Sequence, residues 1–520
     1  MKYVIAVADP VNERGLDILR GAPEFEVVAV PGKPDELTKV LPRAQALLVR
    51  SETKVTDAMM GQAPLLRVIG RAGMGVDNID VEAATRRGIA VMNTPGGNTV
   101  SAAEHAIALL MALVRRIPWA AESMRRGEWD RKKFGGSELR GKVLGLVGLG
   151  RIGSHVANVA RALGMDVLAH DPYLSEQRAG ELGVTLVGLD DLLGRADAIS
   201  LHLPATEETR NLIDRRRLAL LRKTSVVVNT ARGGVVDEIA LLEALESGAL
   251  AGAALDVFEK EPLPADSPLR KSERLILTPH LAASTTEAQE RVSVEICRAV
   301  REALLTGVIG DAVNIPGLSA EVVGRLRPLL DLARALGRLA AAMSPGRVES
   351  IEVDFGGADE DAPRPAALAV IEGVLSALGV GPVSMVNAMA LAQGRGIKVS
   401  RAMGKPEKGF ETTLAVRMRT NERSTRVAGA VFGDRPGRVI GIDRFVVDLP
   451  PEGFIIVLRN RDVPGVIGRV GTAIGEARIN IGSYHVSRRD SDDALLVIHT
   501  GSLDGGASEH EFRLTPAGGW

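Results

Sequence analysis

The stretch that decides the fold runs from Val143 to Asp171 and reads VLGLVGLGRIGSHVANVARALGMDVLAHD. Its first residues form a short, β-branched apolar run, which is typical of a buried parallel strand. The run leads directly into Gly148, Gly150 and Gly153. Glycines at such a turn permit positive φ and bring the backbone close to a pyrophosphate, which then lies on the free N–H groups of a helix N-terminus. The pattern therefore predicts a strand, a tight turn and a helix, with a dinucleotide bound at the turn.

The second half of this stretch indicates which dinucleotide is bound. Helical spacing follows the glycines, and a second strand then ends at Asp171. An acid about 20 residues past the loop can hold a ribose 2′-OH, and its charge repels the 2′-phosphate of NADP. We therefore expect NAD as the cofactor, with Arg151 and Ile152 completing the binding loop.

The bulk composition limits the function classes. The chain has 520 residues, which is too long for one core and predicts three or four domains. Lys and Arg number 64 against 65 Asp and Glu, so the charge balance favours neither a nucleic acid nor a membrane as partner. The only cysteine, Cys297, excludes an intrachain disulfide and fits a reducing compartment. Since no apolar segment is long enough to cross a bilayer, we expect a cytoplasmic protein.

The order of predicted elements indicates an α/β fold with two doubly wound parallel-sheet domains. The predicted helix from Thr285 to Leu305 has an apolar face too long to belong to the last strand alone, and we expect it to cross back to the first sheet. The first, substrate-binding domain is then discontinuous, comprising residues 1–97 and 285–309. The Rossmann domain lies between its parts, at residues 98–284.

Two smaller modules are predicted after the second parallel sheet. Residues 310–446 read as an α+β module, and residues 447–520 as a strand, a helix and two strands. After His499 the chain continues TGSLDGGASEHEFRLTPAGGW, in which glycines and a proline leave no room for a helix of ordinary length. We therefore expect the last module to be a truncated βαββ unit.

Three residues with catalytic potential stand just after predicted strands of the second sheet: Arg232, Glu261 and His280. Loops at the carboxyl ends of parallel strands bind ligands in doubly wound sheets, so the three side chains can converge on the cofactor. Histidine is the natural proton carrier near neutral pH, a carboxylate can orient it, and an arginine can hold a substrate carboxylate by a two-point fork. Each residue alone also has a structural explanation, but the combination predicts hydride transfer at a hydroxyl-bearing carbon.

Several segments of the chain resemble those of a known family. The segments GLGRIG with HDP, NTARGG, DVFEKEP and TPHLAAST are similar to those of the D-isomer-specific 2-hydroxyacid dehydrogenases. The resemblance implies that Arg232, Glu261 and His280 are the catalytic set. VRSETKVT, RAGMGVDNID, NTPGGNTVSAAEH and NRDVPGVIGRVG resemble the long bacterial branch that oxidises 3-phospho-D-glycerate. In that branch an allosteric substrate-binding domain and an ACT domain follow the nucleotide domain.

The resemblance also implies binding residues. Substrate phosphate and carboxylate are expected at Arg50, Ser51, Gly75 and Asn78. Further cofactor contacts are expected at His202, Pro204, Thr209, Thr230, Ala231 and Asp256, the last meeting the nicotinamide amide. An L-serine effector bridging two chains is expected at Asn460, Asp462 and Asn480, although the ACT-like unit could instead only dimerise.

The resemblance implies NAD-dependent oxidation of 3-phospho-D-glycerate to 3-phosphonooxypyruvate, the first step of L-serine biosynthesis, with feedback by L-serine. We expect a homo-oligomer, either a dimer or a tetramer, and no metal site. Two alternatives stay open. One is a dehydrogenase for an unphosphorylated 2-hydroxy acid such as glycerate or glyoxylate, and the other is a non-enzymatic NAD-sensing protein.

Overall fold

The computed structural model describes residues 2–307, 309–310, 312–315, 320–433, 435–490 and 493–500. The chain divides into two compact units. The first takes the chain up to Val55, Ile69–Ile79 and Met92–Arg301, and the second takes Thr56–Val68, Asp80–Val91 and the chain from Glu302 onward. Among the described residues, no helix has the length and apolar character needed to span a membrane.

The N-terminal sheet has five strands in the order β2-β1-β3-β4-β5, and β1 pairs in parallel with β2 and β3. Its strands are β1 (Tyr3–Val7), β2 (Phe25–Ala29), β3 (Ala44–Val49), β4 (Val68–Arg71) and β5 (Ala90–Met92). The helices in this part of the chain are α1 (Glu13–Arg20), α2 (Pro34–Val40), α3 (Asp57–Gly61) and α4 (Val81–Arg86). β1 and β3 are almost wholly apolar and buried, as parallel strands covered on both faces should be.

Two helices, α5 (Thr99–Val114) and α6 (Ile117–Arg125), lead out of this sheet. The sequence predicts that α5 begins at Ser101 with a capping box to Glu104, and this prediction is wrong. The helix begins two residues earlier, and the Ser101 hydroxyl donates to the carbonyl oxygen of Asn98 at 3.0 Å. Inside a first turn, serine bonds back to the preceding carbonyl and no longer caps.

The second sheet of the first unit has seven strands in the order β12-β11-β10-β9-β6-β7-β8, and every pair is parallel. Its strands are β6 (Val143–Val147), β7 (Asp166–His170), β8 (Thr185–Leu186), β9 (Ala198–Leu201), β10 (Val226–Asn229), β11 (Gly252–Leu255) and β12 (Leu275–Leu277). Its helices are α7 (Arg151–Ala162), α8 (Glu176–Glu181), α9 (Leu189–Arg195), α10 (Arg215–Leu218) and α11 (Glu238–Glu246). The strand order reverses between β9 and β6, which opens a ligand crevice at their carboxyl ends.

The long helix α12 (Thr286–Thr306) packs against the N-terminal sheet. A Cβ added at Gly70, in β4, would lie 2.8 Å from Val300 Cγ2 and 2.9 Å from Ile296 Cγ1. The helix therefore lies directly on the strand, and only a residue without a side chain leaves room for it. This packing agrees with the expected return of the chain to the first sheet, while the bounds of the four domains stay a prediction.

The second unit contains a six-stranded sheet in the order β14-β13-β15-β16-β17-β18. Its strands are β13 (Val348–Gly356), β14 (Lys398–Gly404), β15 (Thr412–Thr420), β16 (Ser424–Phe432), β17 (Arg435–Ile442) and β18 (Phe445–Leu449). Its helices are α13 (Ala320–Ala342), α14 (Pro363–Ala377) and α15 (Ala388–Gly394). Three of these strands, β14, β17 and β18, are not predicted from the sequence. β14 is exposed at nearly every position and β17 carries two glycines and two arginines, so neither shows an apolar pattern.

A three-stranded antiparallel sheet follows, in the order β19-β21-β20. It comprises β19 (Phe454–Asn460), α16 (Val466–Glu476), β20 (Ile481–Asp490) and β21 (Asp493–Thr500), a βαββ order. β18 runs through the expected boundary at residue 446. Residues 501–520, which carry the predicted departure from an ACT domain, lie outside the described residues.

Candidate active site

The glycine-rich loop between β6 and α7 lies at the crevice of the seven-stranded sheet. Gly148 has a φ of +93°, and a Cβ there would overlap the carbonyl oxygen of His202. A Cβ at Gly153 would overlap the carbonyl oxygen of Gly148. At Gly150, by contrast, nothing lies within 4 Å of the Cβ position. The loop thus packs tightly on one side and leaves open space at the start of α7, as the pyrophosphate of a dinucleotide requires.

Asp171, at the end of β7, hydrogen-bonds to this loop. One carboxylate oxygen accepts from the Leu149 N–H at 2.9 Å, and the other accepts from the Tyr173 N–H at 3.0 Å. The two remaining residues of the predicted loop begin α7: Arg151 is exposed, and Ile152 packs against the core. Asp171 therefore both anchors the loop and remains partly exposed for a ribose hydroxyl.

His202 follows β9 on the other side of the crevice. Its Nε2 lies 2.9 Å from Ser200 Oγ, and burial lowers the pKa of His202 to about 4, so the ring is neutral at pH 7. Nearby, the Thr209 hydroxyl donates to the Pro204 carbonyl and accepts from the Thr206 N–H, both at 2.7 Å. These bonds close the loop after β9, so in this structure the Thr209 hydroxyl supports the backbone.

Thr230 and Ala231 follow β10. The Thr230 hydroxyl is buried and has no hydrogen-bond partner among the described residues, whereas the Ala231 N–H donates to Asn229 Oδ1 at 3.0 Å. Buried hydroxyls are rarely left without a partner, so Thr230 has hydrogen-bonding capacity that a ligand would complete. Together with the open space above Gly150, this unpaired group shows that the crevice residues fit a bound dinucleotide.

Asp256, just after β11, has no exposed surface. Burial by itself would raise the pKa of its carboxyl, but four hydrogen bonds outweigh burial and lower it. The donors are Thr278 Oγ1 at 2.6 Å, the Leu281 N–H at 2.8 Å, the Ala282 N–H at 2.9 Å and His105 Nε2 at 3.2 Å. Asp256 is therefore ionised, and it holds the segment that carries His280.

His280 and Glu261 are in direct contact. His280 Nδ1 lies 2.7 Å from Glu261 Oε2, and Glu261 Oε1 accepts from the Phe258 N–H at 3.0 Å. Burial opposes the charge of Glu261, but the hydrogen bond from His280 and that from Phe258 hold its pKa below the ordinary value. Because the carboxylate can only accept, Nδ1 carries the proton, and Nε2 is left to exchange a proton with a substrate.

Arg232, after β10, reaches toward the N-terminal sheet. Its Nε donates to Asp77 Oδ2 at 3.1 Å and its Nη1 to the Ala231 carbonyl at 2.7 Å. A Cβ at Gly75 would overlap the Arg232 guanidinium, so only glycine lets this side chain lie against the backbone. Gly233 approaches the Phe258 carbonyl just as closely. This approach brings the Arg232 loop next to the loop that carries Glu261.

A cluster of arginines surrounds this position. Arg71, at the end of β4, was not predicted as a site residue. Its burial, with repulsion from Arg232 and Arg50, lowers the pKa of Arg71 to about 10, against the opposing charge of Asp77. Three neighbouring guanidinium groups with one exposed carboxylate among them form a surface suited to a multiply charged anion.

The loop that bears Arg50 and Ser51 is held by two polar residues. Asp9, which is 2% exposed, accepts from the Arg50 N–H at 2.6 Å and the Thr53 N–H at 3.2 Å, and also bonds the Thr53 hydroxyl. Asn78 Nδ2 donates to the carbonyls of Arg50 at 2.7 Å and Thr53 at 2.6 Å. Both amide hydrogens of Asn78 are thus used by the loop, and Ser51 is exposed at its surface.

The predicted effector residues lie in the last sheet of the second unit. Asn460 ends β19, and the Asp462 carboxylate pairs with Arg488 Nε at 2.9 Å. Asn480 directly precedes β20, and the first residue of β20 pairs with Thr500 of β21. Thr500 also pairs with Phe454, so Asn480 lies at the end of the sheet where β19 begins. Asn460 and Asn480 are therefore at opposite ends of the sheet, about 20 Å apart at 3.3 Å per residue. One chain by itself does not bring them together.

Comparison with known proteins identifies the family. Residues 107–282 match the model of the D-isomer specific 2-hydroxyacid dehydrogenase NAD binding domain, and residues 325–443 match that of the D-3-phosphoglycerate dehydrogenase intervening domain. D-3-phosphoglycerate dehydrogenase of Synechocystis is 42% identical over 96% of this chain and 90% of the relative. The protein of the same name from Archaeoglobus fulgidus is 41% identical over 93% of this chain and 92% of the relative. The chain belongs to the D-3-phosphoglycerate dehydrogenase family.

Solved structures agree with this membership in the D-3-phosphoglycerate dehydrogenase family. NAD-dependent formate dehydrogenase from Staphylococcus aureus, in complex with NAD, is 32% identical with a TM-score of 0.53. The match covers 59% of this chain and 96% of that one. The expected resemblance, the parallel-sheet α/β fold and the NAD-binding domain are therefore confirmed.

Three residues next to the predicted site residues were not predicted from the sequence: Arg71, Asp9 and His105. Arg71 is the last residue of β4 and Asp9 follows the end of β1 by two residues, so the rule about carboxyl ends of strands would have found them if applied to the first sheet. His105 ends the segment NTPGGNTVSAAEH and lies within α5, but that motif does not indicate what its side chain contacts. Its contact with Asp256 joins residues 151 positions apart in the chain, and no local signal reveals such a contact.

Proposed function

We propose that this protein oxidises 3-phospho-D-glycerate to 3-phosphonooxypyruvate with NAD, the entry step of L-serine biosynthesis. The observation that carries the proposal is the His280–Glu261 pair, at 2.7 Å, in the same unit as the arginine cluster. The pair supplies a proton carrier, and the cluster supplies cations for a substrate that has both a phosphate and a carboxylate.

When bound, NAD supplies the acceptor for the hydride that leaves the hydroxyl-bearing carbon. In the proposed reaction His280 removes the hydroxyl proton at Nε2, and Glu261 stabilises the imidazolium and keeps the ring oriented. Arg232 holds the substrate carboxylate by its guanidinium fork. In the reverse direction His280 returns the proton to the carbonyl oxygen.

The remaining predicted substrate residues divide into binding and supporting roles. We assign phosphate binding to Arg50, Arg71 and the exposed Ser51. Asn78 supports the Arg50 loop through its two amide hydrogens, and Gly75 leaves the space that the Arg232 guanidinium occupies. This division extends the predicted set by Arg71.

The decisive experiment compares two substrates. The value of kcat/KM for 3-phospho-D-glycerate should exceed that for D-glycerate at least 100-fold, because the arginine cluster needs the phosphate to offset its charge. Comparable values would instead favour the alternative, a dehydrogenase for unphosphorylated 2-hydroxy acids.

A second experiment separates an enzyme from an NAD-sensing protein. Asparagine tolerates the left-handed backbone of His280, whose φ is +54°, so His280→Asn should leave the loop intact. We expect NADH binding to be unchanged and turnover to fall about 10²- to 10⁴-fold. Turnover at the wild-type rate in this variant would exclude His280 as the proton carrier.

We further propose that L-serine acts as an effector at Asn460, Asp462 and Asn480, in a homo-oligomer. Asn460 Oδ1 is buried and has no hydrogen-bond partner among the described residues, which leaves an acceptor for an ammonium group. Because Asn460 and Asn480 are separated within one chain, the proposed site combines residues of two chains. Initial rates with and without L-serine test it, with Asn480→Ala as the variant that should lose inhibition.

The proposed enzyme self-associates and works in the cytoplasm. We expect a dimer or tetramer by light scattering, and the exposed apolar side chains of Ile117, Met124 and Trp129 on and after α6 support self-association. We place the enzyme in the cytoplasm, where its single buried cysteine stays reduced, without a nucleic-acid or membrane partner.

A further inference from the structure

His105, the last residue of the segment NTPGGNTVSAAEH, makes a long-range contact with the loop after β11. It lies in α5 with its side chain 20% exposed, and its Nε2 is 3.2 Å from Asp256 Oδ1 and 3.3 Å from Thr278 Oγ1. α5 packs on the second sheet, where its buried apolar residues share one core cluster with residues of β10 and β11. His105 therefore joins the helix to the carboxyl end of β11, where the segment carrying His280 is held.

The hydrogen bonds at this point fix the position of the His105 proton. Thr278 Oγ1 lies 2.6 Å from Asp256 Oδ1, so its one hydroxyl proton is donated to the carboxylate. Thr278 Oγ1 and Asp256 Oδ1 are then both acceptors toward His105, because a carboxylate has no proton to give. Nε2 of His105 must carry the proton and donate it to this pair of oxygens.

Asp256 in turn holds the backbone around His280. Its carboxylate accepts from the N–H groups of Leu281 and Ala282, and its carbonyl oxygen accepts from the His280 N–H at 2.9 Å. His280 has a φ of +54°, a conformation that a residue with a side chain adopts only when its surroundings hold it there. The buried carboxylate supplies that support. Its Oδ1 accepts from the Leu281 N–H, Thr278 Oγ1 and His105 Nε2 together, and its Oδ2 accepts from the Ala282 N–H.

We propose that His105 is a positioning residue that acts through Asp256 to keep His280 aligned for proton transfer. The inference rests on the proposed function only in that His280 is the proton carrier. His105 itself does not contact the reacting atoms, because Asp256 lies between it and the segment that carries His280. Its donor N–H orients Asp256 Oδ1, Asp256 fixes the segment from Thr278 to Ala282, and that segment sets where the His280 imidazole lies relative to Glu261.

Kinetics of three variants test this role. His105→Leu removes the donor, His105→Asn keeps a polar group that is too short to reach the carboxylate, and His105→Gln keeps an N–H at similar reach. We expect kcat to fall about 10- to 100-fold in the Leu and Asn variants, since displacements near 1 Å at a reacting group cost that much. KM for 3-phospho-D-glycerate should stay within twofold, and the Gln variant should recover most of kcat.

The matched control is Glu104→Gln, an exposed change at the neighbouring position of α5, which should leave kcat unchanged. A wild-type kcat in both His105→Leu and His105→Asn would overturn the proposal. So would an equal loss in the Gln variant, because then the N–H donor is not what matters.

A readout independent of turnover is hydrogen–deuterium exchange of the peptide that contains residues 278–282. Exchange there should accelerate in His105→Leu and His105→Asn, remain slow in His105→Gln, and stay unchanged in the rest of the seven-stranded sheet. Faster exchange over the whole sheet would mean a general structural role and would overturn the assignment. If the wild-type protein did not oxidise phosphoglycerate, the proposed function would fail, while this exchange pattern would still test the link from His105 to the His280 segment.

Discussion

Nδ1 of His280 lies 2.7 Å from Oε2 of Glu261, although the two residues are 19 positions apart and belong to separate loops. The other oxygen of Glu261 accepts from the Phe258 N–H, so both ends of the carboxylate are held. A histidine supported in this way keeps one tautomer, and its other nitrogen is presented to the substrate.

Replacing Glu261 by Gln should lower kcat about 100-fold while the Kd of NADH changes little. The imidazolium loses its counter-charge, and the amide NH2 of Gln faces one of the two N–H donors, His280 Nδ1 or the Phe258 N–H, that the carboxylate accepted from. Because the hydrogen bonds from His280 and Phe258 hold the pKa of Glu261 below its ordinary value, the carboxylate stays ionised through the neutral range. The loss should therefore persist from pH 6 to pH 9 in steady-state assays. An unchanged kcat across this range would show that Glu261 does not assist His280.

Cofactor choice is tested at Asp171. Because Asp171 also accepts from the Leu149 N–H, an alanine there would loosen the loop as well as remove the charge. Asp171→Asn removes the charge and keeps one acceptor oxygen for the Leu149 N–H, although the acceptor for the Tyr173 N–H is lost. The ratio of kcat/KM for NADP to that for NAD should then rise about 10-fold or more. An unchanged ratio would contradict a role of Asp171 in excluding the 2′-phosphate.

The support of the Arg50 loop is tested at Asp9. Asp9 accepts three hydrogen bonds from this loop, and an asparagine has only one acceptor oxygen for them. Asp9→Asn should raise KM for 3-phospho-D-glycerate about 10-fold and leave KM for NAD within twofold. Asp35→Asn, at an exposed position of α2, is the control and should change neither value. Equal increases for both substrates would point to a general loss of structure.

The neutral state of His202 makes stability depend on pH. Its pKa falls from 6.5 to about 4 in the folded protein, so the unfolded chain binds a proton that the folded chain excludes. The stabilisation is complete above pH 6.5 and is lost as the pH falls toward 4, by about 3 kcal/mol in total. Thermal unfolding temperatures of His202→Gln should therefore fall less between pH 7 and pH 5 than those of the wild type. Equal falls in both proteins would show that His202 is not the group responsible.

The α/β units are predictable from the sequence because their signals are local. The strand Val143–Val147, the glycine turn and Asp171 lie within 29 consecutive residues, and their geometry follows from their spacing. The same reasoning failed for β14, whose exposed edge position removes the apolar alternation. It also misplaced the start of α5, since Ser101 can bond either to a capped N–H or to a preceding carbonyl.

The sequence by itself determined the two parallel sheets, the dinucleotide loop, the family and three candidate residues after strand ends, because short-range periodicity and motif spacing carry that information. Only the tertiary structure decided which groups meet. The clustering of Arg71 with Arg50 and Arg232, the support of Asp256 by His105 and the separation of Asn460 from Asn480 all depend on contacts between distant segments. Such contacts arise from sheet order and helix packing, which no single stretch of the chain contains.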